Sequence, residues 1–465
     1  MGARKYVCVH TIGCQMNVYD SGRMTRMARS MGYEPVPDMK KADLIIVNTC
    51  SVREKAHQKA LSFMGRMARL KRKRPDILIG VAGCVAQQEG ERLLGRPDGI
   101  DFVVGTGAID RLPEIIRRVE DEKRAVADVS MDENAPSVHW DAEPPAGDAF
   151  KETGANAFVT IMRGCDNFCA YCVVPHVRGR EISRPPEDIR AEVRRLTDSG
   201  VAEITLLGQN VNSYGKKGGS LSFPGLLAEI NDTPGLKRLR FTTSHPRDLS
   251  DDLIRSFRDL DRLCGHIHLP VQSGSDAVLK RMNRKYTREL YLEKIEKLRA
   301  ARPDIAVTTD MIVGFPGETG ADFQKTLELM DHAFFDGVFA FIYSDRPKTA
   351  ALKFEGKVSE GEKKARLKTL LDAQEAYTLE KNRALEGSVR QVLVEGPSKK
   401  KTPRPQWTGR TSSNKVVNFE WDGERADIRP GRIIRVRIEK GLPHSLRGTA
   451  QGAPFGESRP DPDLA

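Results

Sequence analysis

Three of the chain's eight cysteines, Cys165, Cys169 and Cys172, fall within eight consecutive residues, Cys-Asp-Asn-Phe-Cys-Ala-Tyr-Cys. Three thiolates at that spacing can hold a four-iron cluster, and the absence of a fourth nearby cysteine leaves one iron open to an outside ligand. Open coordination separates working centres from closed structural ones, as it does for zinc. Half of a zinc ribbon is the competing reading, and it requires a second Cys-x-x-Cys that this chain lacks.

A second set, Cys14, Cys50 and Cys84, is scattered in sequence, but each member falls just past an apolar run: Tyr6 to Ile12, Leu44 to Asn48 and Ile77 to Ala82. If those runs are neighbouring parallel strands, the three thiols meet at the carboxyl edge of one sheet, where ligands collect in open α/β folds. Three more thiolates make a second cluster with an open iron. Each cysteine alone also fits an inert buried thiol, and core packing is the better account of Cys8, inside a strand, and of Cys264, beside Leu263.

The elements that must position these residues follow from periodicity. Strand-like runs alternate with helical stretches over the first 120 residues or so, with Phe102 to Gly105 as the fourth strand, which predicts a doubly wound parallel sheet. From about Asp128 to Ala155 the chain is acidic and rich in Pro, Gly and Ala, as linkers are. Six strand candidates then recur with helices between them: Phe158 to Met162, Glu203 to Leu207, Leu239 to Thr243, His266 to Val271, Ala306 to Ile312 and Gly337 to Tyr343. They predict a partial (β/α)6 barrel with its chemistry at the strand ends, at Gly164-Cys165, Gly208-Gln209-Asn210, Ser244-His245-Pro246, Gln272 to Ser275 and Gly314 to Gly317. After a charged helix, roughly Glu360 to Leu385, short alternating strands at Val389 to Val394, Val416 to Phe419 and Ile433 to Ile438 predict a small C-terminal β-barrel. The expected multi-domain α/β division is 4–122 for the sheet domain, 123–154 for the linker, 155–385 for the partial barrel, 386–449 for the β-barrel and 450–465 for a disordered tail.

The net charge is +11, and between Gly387 and Ala450 there are 14 Lys or Arg against 6 Asp or Glu, a local excess of 8. Basic residues around Lys399-Lys400-Lys401 and Arg404, with Trp407 beside them, fit an RNA-facing surface, although a solvated loop has the same composition. No apolar run is long enough to cross a membrane, and Tyr6 to Ile12 begins too early to leave room for a cleaved signal, so a cytoplasmic protein is expected. Clustered thiols in a reducing compartment read as metal ligands rather than disulfides.

The Cys165–Cys169–Cys172 spacing resembles the radical S-adenosylmethionine superfamily, whose members bind the methionine amine and carboxylate to the open iron and cleave the sulfonium to a 5′-deoxyadenosyl radical. By that resemblance, Tyr171 lies against the adenine, and Gly208, Gln209 and Asn210 occupy a strand end that contacts the methionine part; Gln209 fits equally a residue that satisfies backbone groups at a turn. Several motifs together resemble the methylthiotransferase family over roughly residues 5 to 450: Gly13-Cys14-Gln15-Met16-Asn17, Asn48-Thr49-Cys50-Ser51-Val52-Arg53, Ala82-Gly83-Cys84, Met162-Arg163-Gly164-Cys165 and Val174 to Glu181. The terminal segment, with Gly409-Arg410-Thr411 and Asn414 to Phe419, is similar to the RNA-binding TRAM module. Leu206 to Tyr214 and Cys14-Gln15-Met16-Asn17 resemble the branch acting on prenylated adenosine in tRNA more than the ribosomal-protein branch. One departure is Arg346-Pro347-Lys348-Thr349, where the family commonly has Gly at the third position.

The resemblance implies two [4Fe-4S] clusters, one on Cys165, Cys169 and Cys172 and the other on Cys14, Cys50 and Cys84, together with S-adenosyl-L-methionine. It implies methylthiolation at C2 of N(6)-dimethylallyladenosine at position 37 of tRNA, with a tRNA anticodon stem-loop and an external electron donor as partners, in a monomer without membrane contact. A methylthiotransferase acting on a ribosomal-protein side chain or on another modified adenosine, and a non-catalytic RNA-binding iron-sulfur sensor, are the rival readings.

Overall fold

The computed structural model describes residues 4–51, 54–96, 99–131, 154–219, 221–399, 405–421 and 428–451. Most of the expected linker, nearly all of the expected tail, and Val52, Arg53, Lys400, Lys401 and Arg404 lie outside the described residues. The chain divides into two compact units, one of Met1–Ala149, Met162–Arg184 and Arg346–Thr349, the other of Phe150–Ile161, Pro185–Asp345 and Ala350–Ala465. No helix among the described residues is long and apolar enough to cross a membrane.

The first unit is built on six parallel strands, β1 (Lys5–Ile12), β2 (Tyr33–Pro35), β3 (Leu44–Thr49), β4 (Leu78–Gly83), β5 (Phe102–Val104) and β6 (Val126–Asp128), in the order β2-β1-β3-β4-β5-β6. β6 lies inside the 123–154 stretch read as a linker, so the sheet takes in the first residues of that stretch. β3, Leu-Ile-Ile-Val-Asn-Thr, is buried at all six positions, as a central parallel strand covered on both faces must be. Helices Gln15–Ser30 and Leu112–Glu122 bury Met24, Ala28, Leu112, Ile115, Ile116 and Val119 over one face. Helix Glu54–Lys73 covers the other with Ala60, Phe63, Met64 and Met67. Leu112, Ile115, Ile116 and Val119 follow the i, i+3, i+4, i+7 rule of an amphipathic helix. The same unit holds a short hairpin, β8 (Met162–Arg163) with β9 (Ile182–Ser183), which closes the base of the Cys165 loop.

The second unit contains the six expected barrel strands. β7 (Asn156–Thr160), β10 (Glu203–Leu207) and β11 (Arg238–Phe241) form one parallel set, and β12 (His266–His268), β13 (Ala306–Val313) and β14 (Gly337–Ile342) form another. A parallel bridge between Leu239 and Leu263 carries the arrangement from β11 towards β12. Strand-end loops lead into capped helices: Thr319 Oγ1 accepts from Asp322 N at 3.2 Å while the Asp322 carboxylate accepts from Thr319 N at 3.0 Å, a capping box behind Gly314 to Gly317.

The C-terminal module is a closed barrel of β15 (Val389–Pro397), β16 (Gln406–Arg410), β17 (Val416–Glu420), β18 (Ile433–Leu442) and β19 (Ser445–Ala450), in the order β15-β16-β17-β19-β18. Val392, Val394, Val417, Phe419, Ile434, Val436, Ile438 and Leu446 fill it. Two buried arginines of β11 seat it on the parallel strands. Arg238 donates to the carbonyls of Arg410 at 2.6 Å and Gln391 at 3.0 Å, and Arg240 to those of Ser412 at 2.7 Å and Thr411 at 2.6 Å. Glu203 neutralises Arg240 at 2.9 Å, and both are buried.

Candidate metal centres and cosubstrate site

The three scattered cysteines do meet at one sheet edge. Cys14 follows β1 and caps helix Gln15–Ser30, Cys50 follows β3, and Cys84 opens helix Cys84–Glu89 directly after β4. Cys14 and Cys50 share a hydrogen bond, and this, ahead of the opposing push of burial, brings the Cys14 thiol down to about 6, with help from the charge of Arg178 and the backbone N–H groups of Asn17 and Met16. Burial raises Cys84, and Arg178, which hydrogen-bonds it, pulls in the other direction.

A buried polar network fixes this edge from below. Asn17 Nδ2 donates to Asn48 Oδ1 and to the Thr49 carbonyl, both at 3.0 Å, and Asn48 Nδ2 returns bonds to the Asn17 carbonyl at 2.8 Å and Ser21 Oγ at 3.0 Å. Asn17 Oδ1 accepts from the Cys14 backbone at 3.2 Å and from its thiol at 3.4 Å. Gly83 has φ +89°, and a Cβ there would stand 2.4 Å from both Asn48 Oδ1 and the Thr49 carbonyl, so the Asn48 amide leaves room only for glycine before Cys84.

The second triad sits on the loop closed by the β8–β9 hairpin. Gly164 has φ +75°, and a Cβ on it would be 1.9 Å from the Arg180 carbonyl, which explains the glycine before Cys165. Cys165 N donates to the Gly179 carbonyl at 3.2 Å and Cys172 N to the Cys169 carbonyl at 2.9 Å. Burial pushes the Cys165 thiol up. Phe168, with φ +46° and 43% exposed, carries the Arg180 guanidinium 5.1 Å over its ring, and Arg180 pairs with Asp166 at 2.8 Å.

Arg178 falls inside the Val174 to Glu181 motif, and nothing in the sequence around it assigns it a role. The structure gives it one. Helix Val174–Arg178, immediately behind Cys172, packs Val173 and Val177 on Cys84 and carries the Arg178 side chain to the scattered triad. Its guanidinium pairs with Asp20 at 2.8 Å, both nearly excluded from water. Burial works against its charge, but Asp20 first, then Cys84 and Cys14, hold it firmly protonated.

Among the described residues no three Cys, His, Asp or Glu side chains converge tightly enough to chelate a single metal ion. Thiolates that bind different irons of one cluster stand further apart than ligands sharing one ion. An all-thiol donor set also suits iron-sulfur chemistry better than a hard cation. Cys8 and Cys264 are buried in packing, with Cys8 Sγ donating to the Pro37 carbonyl at 3.8 Å.

Tyr171 is half-buried in the cysteine loop of the first unit; Gly208, Gln209 and Asn210 end β10 in the second, with Gly208 and Asn210 buried and Gln209 half-buried. Asn210 Nδ2 donates to Asp248 Oδ2 at 2.8 Å, and Lys216 Nζ meets Asp248 Oδ1 at 2.7 Å. Burial raises the Asp248 carboxyl, and Lys216 and Asn210 more than reverse it, so it stays ionised. His245 is locked by a two-way bridge with Asn212, His245 N to Asn212 Oδ1 and Asn212 Nδ2 to the His245 carbonyl, both at 2.9 Å. Burial, then the charges of Arg284, Arg247, Lys294 and Lys216, keep its ring neutral. Asn210 Oδ1, Ser244 Oγ and His245 Nε2 are buried without a hydrogen-bond partner among the described residues. Buried polar atoms are seldom left so, and three on neighbouring strand ends mark a place for a polar ligand. Thr243 at φ +71° holds strained backbone at the end of β11, and Gln272 at φ +75° does so beyond β12.

The fold and these sites define a radical-SAM enzyme. Residues 159–330 match the radical SAM superfamily, residues 6–105 the uncharacterized protein family UPF0004 and residues 383–450 the TRAM domain. The radical S-adenosylmethionine methyltransferase TsrM from Kitasatospora setae, solved with cobalamin and a [4Fe-4S] cluster, shares the fold at a TM-score of 0.56 and 14% identity, over 75% of this chain and 77% of that one. The tRNA-2-methylthio-N(6)-dimethylallyladenosine synthase of Desulfosudis oleivorans is 54% identical over 457 residues, 96% of each chain, and that of Syntrophus aciditrophicus is 51% identical over 96% of this chain and 94% of its own. The chain belongs to the tRNA-2-methylthio-N(6)-dimethylallyladenosine synthase family of methylthiotransferases.

Proposed function

We propose that this chain methylthiolates C2 of N(6)-dimethylallyladenosine at position 37 of tRNA. The observation that carries the reading is the pair of three-cysteine sets, Cys165–Cys169–Cys172 on a closed loop and Cys14–Cys50–Cys84 on a sheet edge, in a chain 54% identical over its length to a synthase of that name. C2 of adenine carries an unactivated C–H bond, so general acids and bases have nothing to work on. Two [4Fe-4S] clusters and S-adenosyl-L-methionine supply, when bound, the one-electron chemistry and the sulfur that such a carbon needs.

The protein's own part is holding and orienting. Cys165, Cys169 and Cys172 hold the core cluster, and Cys14, Cys50 and Cys84 the auxiliary one. Asn17 and Asn48 fix the auxiliary edge, and Arg178 offsets thiolate charge there. Asn210, with Gly208 and Gln209, orients the methionine part of the cosubstrate. Neutral His245 and Ser244 offer it further hydrogen bonds, and Tyr171 lies against the adenine. The C-terminal barrel takes the tRNA anticodon stem-loop, mostly through phosphates and stacking. The domains divide as 4–122, 155–385 and 386–449, with the first extended to take in β6. The enzyme works as a cytoplasmic monomer fed by an external electron donor.

The test is anaerobic reconstitution, iron and sulfide counting, then incubation with S-adenosylmethionine, dithionite and prenylated anticodon stem-loop, with nucleosides read by mass spectrometry. About eight irons, four per cluster, and a methylthio mass gain on the adenosine are expected. About four irons without a nucleoside product would remove the auxiliary centre and point to another radical reaction.

A further inference from the structure

The strongest charge feature outside the cysteine sites lies on helix Glu54–Lys73 in the first unit. Its twenty residues contain seven Lys or Arg and one acid, Glu54. Lys59, Ser62, Arg66, Arg69 and Lys73 recur at spacings of three and four, which puts them on one helix face, and all five are exposed. The opposite face is the one that packs, through Ala60, Phe63, Met64 and Met67. From Lys59 to Lys73 the stripe covers fifteen residues, about 21 Å end to end at about 1.5 Å per step.

A merely solvated face has mixed signs, because like charges at i,i+3 and i,i+4 cost a few tenths of a kcal/mol each. Here Arg66–Arg69 and Arg69–Lys73 stand at those spacings, and among the described residues none of Lys59, Arg66, Arg69 or Lys73 is in a salt bridge. The repulsion finds no answer within the chain's described residues, so a polyanion from outside would relieve it.

Beside the stripe lies a cleft of about 520 Å³ whose lining includes His10, Gln58, Lys59, Phe63 and Arg66. His10 stacks on Phe63 with centroids 4.1 Å apart and planes within 5°, and the Arg66 guanidinium sits 4.8 Å over Phe63. Burial, then the charge of Arg66, keeps His10 neutral. Phe63 itself is buried and holds the His10 ring and the Arg66 guanidinium in place, so the His10 ring with the Lys59 and Arg66 cations is what this space of nucleotide size offers to a base and its phosphate. An acidic protein surface would meet the charges equally well, but it gives no reason for an aromatic-lined cleft at the end of the stripe.

We propose that the Lys59–Arg66–Arg69–Lys73 face, with the His10–Phe63 cleft, is a second RNA-docking surface, on which the substrate tRNA lays its phosphate backbone and one nucleotide. It rests on the tRNA reading above and adds to it a contact in the N-terminal sheet domain. Helix Glu54–Lys73 begins shortly after Cys50, so RNA held on the stripe is led along the same domain towards the sheet edge that carries the scattered triad.

The experiment measures binding of the full-length holoenzyme to a whole tRNA bearing the prenylated adenosine, across a series of KCl concentrations. Replacing Lys59, Arg66, Arg69 and Lys73 together by Ala should weaken binding at least tenfold and flatten the slope of log K against log salt by roughly 2 to 3 units. Arg66→Lys with Arg69→Lys should keep the wild-type slope, and Arg117→Ala with Arg118→Ala, on the opposite face of the sheet, should change nothing. Arg69→Glu, a single change on the solvated side, gives the same reading if the fourfold variant does not fold. Unchanged affinity and slope in the stripe variants overturn the proposal. So does retained tRNA binding with lost binding of an acidic ferredoxin, which would assign the face to a protein. Failure of the wild-type enzyme to bind tRNA at all is a different result, and it removes the tRNA reading itself.

Discussion

Two strand-carboxyl edges in this molecule differ in how far their polar groups are tied to one another. At the edge of the N-terminal sheet, Asn17, Asn48, Ser21 and Thr49 are tied into one hydrogen-bond network and Arg178 and Asp20 pair, with Ser51 Oγ beside Cys50 buried and unpartnered among the described residues. At the ends of β10 and β11, Asn210, Ser244 and His245 each keep a buried polar atom without a partner. The first arrangement suits a group that stays, since thiols fixed by their own supports need no ligand to order them. The second suits a molecule that comes and goes, because unmet hydrogen bonds are free energy held for the ligand.

The largest effects should come from the two cysteine sets. Cys169→Ala should abolish S-adenosylmethionine cleavage altogether. Cys50→Ala should keep cleavage, lose methylthio transfer and drop the iron content by about four per chain; a fully active Cys50→Ala enzyme would end the two-cluster reading.

Next in size is the support under the first edge. Arg178→Met strands the buried Asp20 carboxylate, and should cost about 3–5 kcal/mol of N-terminal stability, read as a lowered urea midpoint in the metal-free protein. Adding Asp20→Asn should recover much of it. If the single variant unfolds like wild type, the pair has no structural role.

At the open edge, Ser244→Ala should raise the Kd for S-adenosylmethionine about tenfold, the worth of roughly one hydrogen bond to a charged group, and leave the urea midpoint nearly in place, because Ser244 Oγ has no partner among the described residues to strand. An equal loss of stability and affinity would mean that both edges are built alike.

A finer contrast lies in pH. In the metal-free chain Cys14 should alkylate with a midpoint near pH 6, far below a free thiol, while Cys165 responds only above the ordinary thiol range. Because folding depresses the Cys14 thiol, the stability it contributes is complete above the ordinary thiol range and is lost as pH falls through about 6. Mass-mapped alkylation at several pH values decides it, and parallel titration of the two would refute the assignment.

The smallest effect belongs to Lys348, which stands at φ +67° where the family commonly has glycine. Lys348→Gly should relieve left-handed strain of about 1 kcal/mol and raise the melting temperature by a few degrees at most.

Much of this was legible in sequence because it was local. The Cys165 loop is a contiguous motif, and the scattered triad could be assembled because each member ends an apolar run. The supports were not legible. Asp20 and Arg178 are 158 residues apart, and nothing in either neighbourhood names the other. Edge strands Tyr33–Pro35 and Val126–Asp128 are too short to show a period. In the C-terminal barrel β16 and β19 are not among the expected strands, and each carries a glycine, Gly409 or Gly448, that interrupts its run of β-forming side chains. These glycines mark close strand crossings: a Cβ would stand 2.2 Å from the Leu393 carbonyl at the first and 2.1 Å from the Arg437 carbonyl at the second. Net charge does not report position: the C-terminal segment holds the larger excess, and the basic face of helix Glu54–Lys73 forms only when the helix brings Lys and Arg three and four residues apart onto one side.

The way Arg238 and Arg240 seat the C-terminal barrel has a consequence for how the protein can change. Both guanidinium groups grip main-chain carbonyls, at Gln391, Arg410, Thr411 and Ser412. Every amino acid supplies the same carbonyl, so a change of side chain at Gln391 or Arg410 leaves what the arginines hold, whereas Ser412 and Thr411 also accept main-chain bonds on their hydroxyls, from Gly265 and Lys415. The barrel's outer surface is thereby free to drift and acquire new preferences for RNA, generation after generation, while its mounting stays the same.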